Sequence, residues 1–228
     1  ITTPGCTAVS SSTRGVFALF NSPANQNCLE YITIATTSNS TDFGDQVSAI
    51  EQEGSASNAT RGLFAGGLFP GSTAYNKVEY ITIATIGNAI DFGDLGNSIT
   101  GLDGTADTTR AVFGGGIGPA SPWPKLNTME YFTIATTGNA TDFGDMTYGS
   151  RYPGATGNNT RGFCPGGEAS PGIVDTIDYV TIATTGNATD FGDLISIRTG
   201  TSALGNSIRG VWFGGYSPTW VNIIDYVT

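Results

Sequence analysis

The chain repeats itself. The stretch 131–145, YFTIATTGNATDFGD, recurs with few changes at 31–45, 80–94 and 179–193, and a further copy begins at Tyr226. A second element, an apolar burst opened by arginine, starts at Arg14, Arg61, Arg110, Arg161 and Arg209, at nearly even intervals. The interval from the closing Asp of each copy to the next Arg never changes: Asp45 to Arg61, Asp94 to Arg110, Asp145 to Arg161, Asp193 to Arg209. Only the segment between the burst and the next Tyr changes length. A long, regular period of this kind restricts the chain to architectures that stack one supersecondary unit many times.

Each unit reads as four short strands. In 131–136 every side chain suits a strand, and neither face (Tyr131, Thr133, Ala135; Phe132, Ile134, Thr136) carries a charge, so both are expected to be covered. Gly138-Asn139 is expected to supply a tight hairpin turn, with a return strand at 140–143. Before each Arg stand small residues at alternate positions: Ala8, Ser55, Gly104, Ala155 and Ala203, then Ser10, Ser57, Ala106, Gly157 and Gly205. They mark a strand in a crowded place. The Arg burst is the next strand.

Four short antiparallel strands per repeat predict an all-β fold, a β-propeller with the small-residue strand innermost. A solenoid is the weaker alternative, because its period is usually shorter. We expect one domain over 1–228, five four-stranded blades at about 1–45, 46–94, 95–145, 146–193 and 194–228, and the fifth incomplete. Its missing outer strand is expected just before Ile1, where a ring would close. The chain opens and closes in mid-repeat, as the ordered part of a longer protein would.

Certain chemistries are disfavoured. Nine basic against 19 acidic residues, a net charge of −10, disfavour nucleic acid or an anionic membrane as partner. The absence of histidine removes Ser-His-Asp and Cys-His catalysis and imidazole zinc sites. The unique acids Glu51, Glu53, Asp103, Asp107 and Glu168 do not single out a catalytic pair. DFGD lacks every other kinase signature. Calcium at Asp42 and Asp45 has no matching loop spacing. No enzymatic activity, cofactor or metal is expected. Cys164 stands where other bursts have Phe or Trp, as an apolar filler; a Cys6–Cys28 disulfide is a minor alternative to free thiols.

The sequons at Asn39, Asn58, Asn139, Asn158 and Asn187 matter only in a glycosylating host. Arg14, Arg61, Arg110, Arg161 and Arg209 recur in every unit, so they are expected to be structural ties to carboxylates or carbonyls. The variable segments 18–29, 65–78, 114–129, 165–177 and 213–224 should emerge on one face. They carry Phe20, Phe69, Tyr75, Trp123, Tyr216 and Trp220, with Lys125 beside Trp123. Aromatic rings on stiff loops suit a recognition surface. Trp123, between Pro122 and Pro124, is the first candidate contact, with Trp220 and Tyr75 next.

The unit resembles kelch-type repeats. The matching features are the Gly-Gly pairs after the burst (66–67, 115–116, 166–167, 214–215), the Tyr that follows each pair (Tyr80, Tyr131, Tyr179, Tyr226), and the outer-strand Phe43, Phe92, Phe143 and Phe191, where kelch repeats usually have Trp. The wording TIATTGNATDFGDL is similar to a kelch-like variant of tailed-phage virion proteins, especially aquatic (cyanophage-type) ones. The resemblance implies a tail-fibre or appendage module on the virion surface, extracellular, in a homo-oligomer or larger assembly. Its partners would be other virion subunits and a host-surface glycan or protein, with no membrane insertion. The alternatives are a subunit of an extracellular filament or adhesin and, less favoured, a carbohydrate-active enzyme.

Overall fold

A computed structural model describes residues 6–19, 26–69, 73–119 and 122–228. The chain is a five-bladed β-propeller, and the described residues contain no helix. Blade 1 is built from Cys6–Ser10, Arg14–Leu19, Cys28–Thr33 and Thr41–Asp45. Blade 2 is Gly54–Ser57, Arg61–Ala65, Lys77–Thr82 and Ile90–Asp94. Blade 3 is Asp103–Ala106, Arg110–Gly114, Thr128–Thr133 and Thr141–Asp145. Blade 4 is Thr156–Gly157, Arg161–Pro165, Thr176–Thr181 and Thr189–Asp193. Among the described residues blade 5 comprises Ser202–Gly205, Gly210–Phe213 and Ile224–Val227. Every blade is antiparallel and runs outward in chain order. The fourth strand expected just before Ile1 falls outside the described residues.

The third strand starts and stops three residues before the expected 131–136. The chain turns at the repeated Thr-Ile-Ala-Thr, where Thr136 N–H donates to Thr133 C=O. Gly138-Asn139 is therefore not the hairpin turn. It runs along the outer strand of the preceding blade: Gly138 N–H donates to Phe92 C=O, Ala140 N–H to Asp94 C=O, and Asp94 N–H to Asn139 Oδ1. The same clasp joins Gly87–Ala89 to Phe43 and Asp45, and Gly186–Ala188 to Phe143 and Asp145. Asn serves here because its side-chain carbonyl can accept like a strand backbone.

The Asp-Phe-Gly-Asp strand is shaped for this contact. Its ladder with the third strand slips at the Phe: Met129 faces Gly144, and Glu130 faces Asp142. The extra residue of this bulge turns its ring inward; Phe43, Phe92 and Phe143 are buried, and each lies edge-on to the Tyr of its own blade. The following glycine has positive φ, and a Cβ on Gly144 would lie 2.5 Å from the backbone of Gly186. Only glycine allows so close an approach.

Between blades the packing is apolar and repeats. Val16, Leu29, Tyr31 and Phe43 of blade 1 meet Phe64, Ile81 and Ile83 of blade 2. Blades 2 and 3, 3 and 4, and 4 and 5 repeat this with Phe113/Phe132/Ile134, Val180/Ile182 and Trp212 as the incoming groups. Half-buried Cys164 lies in the third of these layers. Blades 1 and 5 do not complete such a layer with each other among the described residues. Ile34 is 54% exposed, whereas its counterparts Ile83, Ile134 and Ile182 are 0–1% exposed.

Polar ties reinforce the layers. Arg14 and Arg61 each donate to a carbonyl of the next blade, Ile83 O and Ile134 O, both at 2.8 Å; Arg110 donates to Ala183 O at 2.9 Å. All five repeat guanidiniums stand 4.4–4.9 Å from the Tyr ring of their own blade. They tie carbonyls and rings; among the described residues none of the five forms an ion pair. The acid before each Tyr caps the backbone after the previous outer strand: Glu79 accepts from Val47 N–H, Glu130 from Gly96, Asp178 from Thr147 and Asp225 from Ile195. Glu30, with no described blade before it, accepts from Ser40 instead. Cys6, Cys28 and Cys164 are free thiols, so no Cys6–Cys28 disulfide forms.

Candidate functional site at the channel mouth

The innermost strands line a central cavity of about 1290 Å³. Their small residues leave that space and bond across blades: Thr7 Oγ1 donates to Ser55 Oγ at 2.6 Å, and Ser57 Oγ to Ser10 C=O at 3.2 Å. One mouth of this channel departs from the repeat, and it is where unlike residues meet.

At one fixed position ahead of each of the last four repeat arginines, the backbone is left-handed. Gly101 and Gly200 take that place in blades 3 and 5, at φ +69° and +64°. Gln52 and Tyr152 take it in blades 2 and 4, at +59° and +54°. A non-glycine residue held there costs about 1–2 kcal/mol, so the side chains are placed against a local preference. The four positions are strung together by backbone bonds: Gly101 N–H donates to Gln52 C=O, Tyr152 N–H to Gly101 C=O, and Gly200 N–H to Tyr152 C=O. Across this arc Tyr152 Oη donates to Gln52 Oε1 at 2.7 Å, and Thr100 Oγ1 donates to the same oxygen. A Cβ on Gly101 would lie 2.8 Å from the Tyr152 ring, so that glycine makes room for the phenol.

Around the pair stand acids. Glu168 is held by Arg151 at 2.7 Å and Lys125 at 3.1 Å. Burial alone would raise its carboxyl, but these two cations hold it below the ordinary value. Asp103 Oδ2 accepts from Ala155 N–H at 2.8 Å, tying the inner strands of blades 3 and 4. Burial pushes Asp103 up to about 7 and Glu53, held by Gln46 Nε2, up to about 8. On the blade 5 side the hairpin Tyr216–Ser217/Thr219–Trp220 leans over the rim, its two rings 5.6 Å apart and T-shaped. Trp220 is 67% exposed, and both rings border the cavity.

The structure thus divides the sequence candidates. Tyr216 and Trp220 meet at the channel mouth. Trp123, Phe69 and Tyr75 do not line it; Trp123 and Phe69 are exposed on their own loops and Tyr75 is half-buried. Lys125 is not an isolated cation: besides Glu168 it holds Ala169 C=O, joining the loops of blades 3 and 4. Phe20 lies outside the described residues. Sequence reasoning passed over Gln52, Tyr152 and Arg151. The available signal was a non-glycine residue where the aligned repeats have Gly101 and Gly200.

The raised acids set a pH dependence. Between the ordinary carboxyl value and the folded value, the folded state binds more protons than the unfolded one, so stability falls as pH rises. Glu53 and Asp103 act over about pH 4–8, and Glu79, Glu130 and Asp178, raised first by burial, act in the same direction. Both channel acids are half-buried and see channel water, so we expect a loss on the order of 2 kcal/mol from pH 5 to pH 8. Urea unfolding at the two pH values measures it. Glu53→Gln and Asp103→Asn should flatten the dependence; an unchanged slope in both would refute the assignment.

No known sequence family matches the chain, and no curated protein does. Among solved structures the protein titled YjhT is similar in fold, with a TM-score of 0.76 at 12% identity, covering 93% of this chain and 72% of that one.

Proposed function

We propose that the chain is a non-enzymatic, kelch-type recognition module that binds a saccharide through the rim of its channel. The observation that carries this is the gathering of departures from the repeat at one mouth: the exposed Tyr216–Trp220 pair, the Tyr152–Gln52 pair on left-handed backbone, and the Glu168 cluster. Repeated residues build the scaffold; a site needs positions that differ from blade to blade. Exposed aromatic faces stack on the C–H faces of sugar rings, while Gln, Tyr and carboxylate groups accept and donate to hydroxyls. Trp123, Phe69 and Tyr75 extend the same recognition surface.

The kelch assignment draws on the four Gly-Gly pairs, each with both residues at positive φ, between 62° and 100°. The setting we propose is a virion appendage such as a tail fibre, exposed to the outside. There the module would meet a host-surface glycan and neighbouring subunits. The acidic balance and the repeat wording support it.

Trp220→Ala tests the proposal. It should leave the thermal midpoint nearly unchanged and weaken binding to host-surface polysaccharide at least tenfold, about 1.4 kcal/mol. Unchanged binding with an intact fold would move the contact surface away from the channel mouth.

A further inference from the structure

Two carboxylates of the channel wall have no cation of their own chain to face. Glu53 stands directly before the inner strand of blade 2, and Asp103 opens the inner strand of blade 3. The two strands lie side by side there: a Cβ on Gly54 would be 3.1 Å from Asp103 Cα. Both acids border the central cavity. Glu53 accepts from Gln46 Nε2 through both oxygens, at 2.9 Å. Asp103 accepts from the backbone N–H groups of Gly104 and Ala155, each at 2.8 Å. These donors are neutral, so they satisfy the oxygens without balancing the charges.

The chain has nine Lys and Arg residues, and each is engaged elsewhere. The five repeat arginines stand over the Tyr rings of their own blades. Lys77 pairs with Asp94, Arg198 pairs with Asp225, and Lys125 and Arg151 share Glu168. Among the described residues no Lys or Arg borders the cavity, whereas Glu53, Asp103, Asp107 and Glu168 all do. Glu168 is balanced by its two cations, and Asp107 caps the turn before Arg110. The titratable groups beside the other two acids are Cys6 and Glu79 for Glu53, and Cys164 for Asp103. None of these is a cation. Burial without a counter-charge holds both carboxyls above their ordinary range. A cation brought into the channel would relieve that penalty. The rings of Tyr216 and Trp220 border the same cavity, and aromatic faces attract cations as well as sugar C–H groups.

We propose that the saccharide bound at the channel mouth carries a protonated amine, held by Glu53 and Asp103 while its sugar rings stack on Tyr216 and Trp220. The inference rests on the saccharide reading above and adds the charge of the ligand to it. A neutral sugar gains nothing from the two carboxyls, and an anionic one is repelled by them.

The probes are a trisaccharide of β-1,4-linked glucosamine and its fully N-acetylated counterpart, which share a ring skeleton and differ in charge. Titration calorimetry at pH 7 should show one-to-one binding of the amine form, at least tenfold tighter than the acetylated form. Glu53→Gln and Asp103→Asn should each cut that preference at least threefold, and the double variant should abolish it. Should the double variant fail to fold, the single variants decide. A preference that survives in the variants would place the selectivity on the general acidic surface and overturn the proposal. Equal binding of the two trisaccharides, or tighter binding of the acetylated one, would overturn it while leaving the saccharide reading intact. Binding of neither at millimolar concentration would also overturn it; the saccharide reading falls only if host-surface polysaccharide fails to bind as well.

Discussion

Gly144→Ala is expected to lower stability by about 3–4 kcal/mol, whereas Gly192→Ala, the same substitution one blade on, should cost about 1 kcal/mol. Both glycines sit in the outer-strand bulge, at φ +136° and +141°. Both substitutions force an L side chain into a backbone region it rarely adopts, and that shared strain is the smaller term. The difference lies across the blade boundary. A methyl on Gly144 would stand 2.5 Å from the Gly186 carbonyl group, which is backbone and has no side chain to swing away. The clasp must open, and with it go the bonds from Gly186 N–H to Phe143 C=O and from Ala188 N–H to Asp145 C=O. A methyl on Gly192 meets nothing within 4 Å. Thermal unfolding should separate the two variants by several degrees. Equal midpoints would mean that the clasp contributes nothing to stability.

Arg198→Ala is expected to cost about 3–5 kcal/mol, the range for stripping one member from a buried ion pair. Arg198 is fully buried and pairs with Asp225, itself nearly buried. It also donates to Gly214 C=O and Ile223 C=O, so it closes both the third strand and the Gly-Gly bend of blade 5. Aligned from the repeat arginine, its place is taken by Ile50 and Ile99 in blades 2 and 3. Removing the guanidinium leaves a carboxylate with little water and two carbonyls without donors. Denaturant unfolding measures the cost. Arg198→Lys should recover part of it through the charge but not the forked geometry. A loss under about 1 kcal/mol for Arg198→Ala would show that blade 5 relaxes to let in water.

The sequence by itself determined the repeat, and the repeat determined the blades. A constant Tyr-to-Asp distance and a constant Asp-to-Arg distance leave one variable segment per unit, so strand number and strand order follow from counting. The inner strand was legible because only small residues fit beside the same strand of the neighbouring blade: a Cβ on Gly104 would lie 2.9 Å from the carbonyl oxygen of Ser55, on the inner strand of blade 2. The outer-strand Phe and the Arg–Tyr pairing were legible as repeating types, though not the partners they choose.

Only the tertiary structure decided what crosses from one blade to the next. Gly-Asn reads locally as a turn, because its preferences are those of a turn; it became a clasp because the neighbouring outer strand offers a carbonyl and an N–H at strand spacing. The channel mouth was hidden for a related reason. Gln52 and Tyr152 belong to blades 2 and 4, and nothing in local pattern couples them until the ring curves them together. Lys125 looked like a lone cation among acids in sequence order, yet Glu168 from the next blade reaches it. Periodicity fixes what each unit is, because every unit meets the same local constraints. Which departures from the period face one another depends on curvature, and curvature is set by the packing of whole blades.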